Sequence, residues 1–135
     1  MNDLYYQPDN YSCHVTAWAN LFRLAGYDVT LEDLWAKVGH RDEVTALEVV
    51  GVFGGHGLRL SAFNGPPEQL GCGIVGVDYG AFGHAYTWVG DWTINPKNLR
   101  IRRLSDLYVV GGGLRLDRPS LDVVYLEYEL KRRVS

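Results

Sequence analysis

Cysteines and long apolar runs are both scarce in this chain of 135 residues. The two cysteines are Cys13 and Cys72, so a framework of several disulfide bonds is excluded. No stretch approaches the roughly 18 uninterrupted apolar residues that a membrane-spanning helix needs. The opening residues, Met1 to Tyr6, lack the positive start and apolar run of a secretory signal. We therefore expect a cytoplasmic protein with free thiols and no membrane partner.

An excess of positive charge is also missing. The formal net charge is -3, so the chain offers no basic field for holding phosphates, and we expect no nucleic-acid partner. Two local basic clusters, Arg100 to Arg103 and Lys131 to Arg133, are interpreted as solvated edges. The alternative for these clusters is a small patch for an acidic partner.

Metal-ligand spacing is absent as well. His14, His40 and His56 form no such spacing with each other or with the cysteines, and neither Cys-x-x-Cys nor His-x-x-x-His occurs. A zinc site is therefore not expected. We expect neither a metal nor a cofactor.

The remaining composition is typical of a globular protein, because 47% of the residues are apolar and 21% are charged. A chain of this length buries about 65–70% of the surface that its unfolded form exposes, which is enough for one core. No internal repeat or low-complexity linker divides it. We therefore expect residues 1–135 to form a single domain.

A buried helix is predicted close to the N-terminus. Apolar residues from Val15 to Ala25 recur nearly all round a helix that ends at Gly26. Ser12 is a candidate N-cap, which places Cys13 in the first turn. The positive end of the helix dipole favours a thiolate at that position.

Two further helices are predicted before the middle of the chain. Thr30 begins a capping pattern, and the amphipathic helix after it ends at Gly39. Thr45 repeats the capping pattern, and a short helix runs from there to Phe53. The helices therefore lie in the first half of the sequence.

The second half has the composition of β-strands. Gly, Pro, Asn and Asp separate short β-branched or aromatic runs, which are Leu58 to Phe63, Gly73 to Tyr79, Ala85 to Val89, Trp92 to Ile94, Leu99 to Arg103 and Leu121 to Leu130. Gly90-Asp91 is a predicted hairpin turn, and an antiparallel meander is the simplest topology. Helices first and strands afterwards predict an α+β fold, with N-terminal helices packed on a C-terminal antiparallel sheet.

The residue types needed for thiol catalysis occur in a suitable order. A thiol attacks as a thiolate, so it requires a base and a group that orients the base. Paired strands can bring His84 and Asn95 side by side, while the first helix delivers Cys13 to them. Gln7, six residues before Cys13, is a candidate oxyanion donor together with the Cys13 N–H. Asp91 is the alternative group for orienting His84.

Three segments resemble papain-like cysteine peptidases. They are Gln7 to Cys13, Gly83-His84 and Ile94-Asn95-Pro96. The similarity is strongest to the bacteriocin-processing, double-glycine type peptidases and their stand-alone relatives. It extends from about Tyr5 to about Leu107, and the last predicted strand is expected to close the sheet.

This resemblance implies a papain-like fold and a role for four side chains. Cys13 would be the nucleophile, His84 the base, Asn95 the orienting residue and Gln7 the oxyanion donor. Two positions depart from the family pattern. His14 stands where relatives have Gly or a small residue, and Asn95 stands where Asp is more frequent. An amide orients an imidazole without adding negative charge, so the ion pair is expected to be weaker.

Several functions are compatible with these residues. The first is a thiol peptidase or amidase that acts on a peptide or protein substrate through an acyl-enzyme. An acyltransferase or deamidase would use the same residues, and a peptide-binding module would recognise an extended segment without turnover. Tyr11 and Tyr79 are predicted to line a groove for such a segment, while the tryptophans are predicted to be core. The oligomeric state is not predicted.

The same residues also have plainer interpretations. A free cysteine is often a small core residue, and a histidine at a strand end is often only hydrogen-bonded. Asn95 before Pro96 is equally typical of an ordinary turn. Cys72 lies between two glycines at the start of an apolar strand and is interpreted as structural.

Overall fold

The structure, a computed structural model, describes residues 4–9, 12–27, 29–39, 59–64, 71–78, 83–107, 110–117 and 123–134. These residues form an α+β fold, as predicted. The helices are α1 (Cys13–Leu24), α2 (Leu31–Val38) and α3 (Val123–Val134). The strands are β1 (Arg59–Asn64), β2 (Cys72–Asp78), β3 (Gly83–Val89), β4 (Trp92–Ile94), β5 (Ile101–Arg103) and β6 (Val110–Asp117).

Helix α1 is the central buried helix that the apolar pattern predicts. All of its side chains from Val15 to Leu24 are buried, except that of Arg23. The chain turns out of the helix at Gly26, whose φ of 83° favours glycine. Ser12 is the N-cap residue, as predicted, although its side chain makes no capping hydrogen bond. Its Oγ instead lies 3.4 Å from the carbonyl oxygen of Asp9.

Helix α2 confirms the capping pattern read from the sequence. Thr30 Oγ1 accepts from the Asp33 N–H at 3.1 Å, and the Asp33 carboxylate accepts from the Thr30 N–H at 3.0 Å. Those hydrogen bonds lower the pKa of Asp33. Gly39 ends the helix in the left-handed conformation with a φ of 89°. The third predicted helix, Thr45 to Phe53, lies outside the described residues.

The described strands form one sheet in the order β1-β6-β2-β3-β4-β5, and every pairing is antiparallel. Strands β2 to β5 follow the predicted meander, with the predicted turn at Gly90-Asp91. Strand β6 was not predicted, and it lies between β1 and β2. A Cβ added at Gly113 would collide with the backbone carbonyl of Ile74. Glycine at that position therefore allows β6 to approach β2 closely.

The prediction of a strand at Leu121 to Leu130 is wrong, because the described part of this range, from Val123 onward, belongs to helix α3. Leu126 and Leu130, one helical turn apart, are buried in the core. The Glu129 carboxylate accepts from Arg132 at 2.8 Å and from Arg133 at 3.0 Å, the spacing of neighbours on a helix. These contacts lower the pKa of Glu129, with the hydrogen bond from Arg132 contributing most. Burial of the two leucines on one face outweighs the strand preference of the intervening residues.

The sheet has a core on each face. Ala85 and Val89 of β3 pack in the cluster that contains α1, whereas Tyr86 and Trp88 pack in a second cluster. Thr87 Oγ1 donates to the carbonyl oxygen of Ala17 at 2.6 Å. This buried hydrogen bond fixes the first half of α1 on the centre of β3.

Three of the four tryptophans are core residues, as predicted. Trp18, Trp35 and Trp88 are buried, and Trp92 is half-buried. Arg103 and Lys131 both lie over the Trp92 ring, at 4.8 Å and 4.6 Å from its centroid. The two basic clusters, distant in sequence, therefore meet at this indole, and both of these side chains are exposed.

None of the helices in the described ranges combines the length and the apolar content that crossing a membrane requires.

Candidate active site

His84 and Asn95 are hydrogen-bonded to each other, with 2.7 Å between His84 Nε2 and Asn95 Oδ1. His84 is the second residue of β3, and Asn95 directly follows β4. The pairing of Thr87 with Ile94 brings these two positions to the same end of the sheet. Asp91 lies on the turn at the opposite end of this hairpin. The structure therefore joins His84 to Asn95, and it separates His84 from the alternative partner Asp91.

The hydrogen bonds of Asn95 assign the tautomer of His84. Asn95 Oδ1 also accepts from the backbone N–H of Lys97 at 2.9 Å. A backbone N–H only donates, so this atom is the amide oxygen and the amide orientation is fixed. The neutral His84 ring must then carry its proton on Nε2, which leaves the lone pair of Nδ1 as its basic site. Asn95 is thus both a turn residue and the partner of His84.

Burial lowers the pKa of His84, and the positive charge of Lys97 lowers it further. The hydrogen bond to Asn95 opposes these two effects without cancelling them. The Tyr86 ring packs edge-on against the imidazole, with 5.0 Å between ring centroids. His84 is therefore neutral near pH 7 and able to accept a proton at Nδ1.

We expect the free energy of unfolding to fall when the pH drops from about 7.5 to about 5. The pKa of His84 is lower in the folded state than the ordinary value of 6.5, so the unfolded chain binds the proton more readily. The stabilisation is fully present above the unfolded pKa and is lost as the pH falls through it toward the folded pKa. Urea unfolding at both pH values should show a smaller loss in His84→Gln. An equal loss in both proteins would contradict the assignment.

Hydrogen bonds connect the segment before α1 to the turn that carries Asn95. The Gln7 N–H donates to the carbonyl oxygen of Pro96 at 2.8 Å. Gln7 Nε2 donates to the Asp9 carbonyl oxygen at 2.8 Å, and Ser12 Oγ approaches the same oxygen. Cys13 follows Ser12 directly. The start of α1, Gln7 and the His84–Asn95 pair therefore lie at one end of the sheet.

Two details of this arrangement constrain the chemistry. His84 shares the sheet face of Tyr86, whereas α1 covers the opposite face. A contact between the Cys13 sulfur and the imidazole has to form around the end of β3, and this contact stays a prediction. One N–H of the Gln7 amide is bonded to Asp9, so an oxyanion would have to use the other N–H.

The two free thiols have different environments. Cys13 is half-buried at the start of α1, whereas Cys72 is buried in the core with 3% of its surface exposed. Burial raises the pKa of Cys72 to about 12. The structural interpretation of Cys72 agrees with these facts. His14, the residue after Cys13, stacks on Trp18 with 6.4 Å between ring centroids.

Tyr11 and Tyr79, the predicted groove residues, lie outside the described residues, as do His40 and His56. Within the described part of the chain, His, Cys, Asp and Glu form no group of three that could hold a metal ion.

The sequence analysis missed Asn20, a fully buried polar residue of α1. Its Oδ1 accepts from the Tyr5 N–H at 2.7 Å, and its Nδ2 donates to the Tyr5 carbonyl oxygen at 3.0 Å. The signal was a carboxamide between the apolar residues Ala19 and Leu21 of a helix, where Asn has poor helix propensity. A buried amide needs hydrogen-bond partners, so Asn20 indicates that a backbone segment lies against this part of α1.

This end of the sheet holds a neutral imidazole of defined tautomer, an amide oxygen that accepts the hydrogen bond from its Nε2–H, and the start of a helix with a thiol. Comparison with known proteins finds no family model that matches the chain and no curated protein that matches it. The functional conclusion therefore depends on the geometry and chemistry of these residues.

Proposed function

We propose that this chain is a papain-like thiol hydrolase, a peptidase or amidase that acts on a peptide or protein substrate. The hydrogen bond between His84 Nε2 and Asn95 Oδ1 carries the proposal. It provides a base whose unprotonated nitrogen is Nδ1, at the end of the sheet to which the segment before Cys13 is tied. A thiol, an imidazole and an orienting amide are the set that nucleophilic acyl transfer requires.

In the first half-reaction, the Cys13 thiol transfers its proton to His84 Nδ1, and Asn95 Oδ1 holds the resulting imidazolium through its Nε2–H. The sulfur attacks the substrate carbonyl carbon and forms a C–S bond. The oxyanion accepts hydrogen bonds from the Cys13 N–H and the second N–H of Gln7. The C–N bond then breaks, and the leaving amine takes the proton from His84 Nδ1.

In the second half-reaction, His84 Nδ1 accepts a proton from water while the water oxygen attacks the thioester carbon. The C–S bond breaks, the product acid leaves, and the proton returns from His84 to the Cys13 sulfur. Asn95 contributes no negative charge at any step. Burial lowers the pKa of His84, which disfavours the imidazolium half of a Cys–His ion pair.

The test is a digest of a defined peptide mixture by wild type and Cys13→Ala, analysed by mass spectrometry. We expect new internal termini with wild type and none with Cys13→Ala, because the sulfur forms the acyl-enzyme. Cys72→Ala is the matched control, and it should cut at the same sites. Deamidation without cleavage would assign the site to a deamidase. Peptide binding without any product would contradict the hydrolase proposal.

A further inference from the structure

Asn20 holds the chain segment that precedes the proposed nucleophile. It is 0% exposed, and both polar atoms of its side chain bond the backbone of Tyr5, at 2.7 Å and 3.0 Å. The carboxamide therefore pairs with Tyr5 as a neighbouring strand would, by offering one acceptor and one donor. The next turn of the same helix adds a second attachment, since the Arg23 guanidinium lies 4.7 Å from the centroid of the Tyr5 ring.

Gln7 lies two residues beyond this anchor. Its backbone N–H donates to the Pro96 carbonyl oxygen at 2.8 Å, next to Asn95. The segment from Tyr5 to Gln7 is therefore fixed at one end on α1 and at the other end on the turn after β4. Without the two bonds from Asn20, the described contacts that still hold this segment are the Arg23–Tyr5 contact, the Gln7–Pro96 bond and the bond from Gln7 to Asp9.

We propose that Asn20 is a positioning residue, which holds the Tyr5–Gln7 segment so that the Gln7 amide can stabilise the oxyanion. This inference rests on the proposed function. Asn20 touches neither the sulfur nor the imidazole in the mechanism, so its effect must pass through Gln7. Loss of Asn20 should therefore slow only a reaction in which an oxyanion develops.

Two reagents separate this role from general stability. p-Nitrophenyl acetate acylates a thiol, with formation of a C–S bond, an oxyanion intermediate and release of p-nitrophenolate. Iodoacetamide alkylates a thiol by direct displacement of iodide, without an oxyanion. We expect Gln7→Ala to lower the acylation rate ~100-fold and Asn20→Leu to lower it at least ~10-fold. Both variants should keep the alkylation rate of wild type.

The double variant Gln7→Ala with Asn20→Leu tests whether the two residues act in one chain of contacts. Its acylation rate should equal that of Gln7→Ala alone, because the bonds from Asn20 to Tyr5 cannot affect the oxyanion once the Gln7 amide is absent. Asn20→Asp keeps the acceptor for the Tyr5 N–H and loses the donor. It should give a smaller loss than Asn20→Leu, and it serves as the test variant if circular dichroism shows that Asn20→Leu does not fold.

Thr16→Val is the matched control. Thr16 lies one turn before Asn20, is also fully buried, and its Oγ1 has no hydrogen-bond partner among the described residues. It should leave both rates unchanged. Unchanged acylation in Asn20→Leu, or an equal fall in acylation and alkylation, would overturn the positioning role. A wild-type Cys13 that reacts with neither reagent would instead overturn the proposed function, and with it this inference.

Discussion

Cys13→Ala is expected to abolish the rapid alkylation of the folded protein by iodoacetamide at pH 7, whereas Cys72→Ala leaves it intact. Alkylation requires a thiolate. Burial raises the pKa of Cys72 to about 12, so this thiol stays protonated at pH 7, and its side chain is closed off from the reagent. Cys13 is half-buried at a helix start, where the helix dipole favours the thiolate.

The labelling site can be identified by intact mass followed by peptide mapping. Wild type should gain one carbamidomethyl group on Cys13, and unfolding in urea should expose the second thiol. The urea step is an internal control, because it shows that Cys72 is reduced and reactive once its burial is removed. An equal loss of labelling in Cys72→Ala would contradict the assignment of Cys13 as the nucleophile.

His84→Gln is expected to lower the acylation rate by at least ~100-fold, the usual contribution of a positioned base. Gln keeps an amide donor for Asn95 Oδ1 but offers no basic Nδ1. Asn95→Ala should cause a smaller loss, because the imidazole remains while its tautomer is no longer fixed by the amide oxygen. Asn95→Asp adds negative charge beside His84 Nε2, so it should raise the pKa seen in the pH–rate profile.

The matched control for His84 is His14→Gln. His14 directly follows Cys13, so it is the imidazole nearest to this thiol in sequence, and it stacks on Trp18. A rate near that of wild type in His14→Gln and a large loss in His84→Gln would assign the base to β3. A large loss in His14→Gln with none in His84→Gln would contradict the proposed mechanism. Rates are best measured with p-nitrophenyl acetate across the pH range.

The His84–Asn95 pair was predictable because a short hairpin determines its own register. The turn at Gly90-Asp91 pairs Val89 with Trp92, and every later pair follows from that one. The bonds from Gln7 to Pro96 and from Asn20 to Tyr5 join parts of the chain that share no local pattern. Such non-local contacts are decided by packing, and the alternation of residue types does not encode them.

Two elements of the fold were mispredicted for identifiable physical reasons. Residues 123–134 contain Val and Tyr, which favour strands, but the pair Leu126 and Leu130 and the pair Glu129 and Arg133 have helical spacing. Strand β6 contains Gly111-Gly112-Gly113, which by propensity indicates a loop. Close approach of the β6 backbone to β2 requires the absence of a side chain at Gly113, and only the assembled sheet reveals this requirement.

The place of β6 between β1 and β2 affects the order in which the protein can fold during synthesis. The described partner of β1 in the sheet is β6, which of the described strands is the last to leave the ribosome. Pairings between sequentially distant strands form late, because the intervening loop must close first. Cys13 is synthesised early, but the sheet that carries His84 is complete only after residue 117 has been synthesised. On the proposed function, a nascent chain would therefore carry Cys13 before the sheet is complete, and hydrolysis would begin only after β6 has paired with β1 and β2.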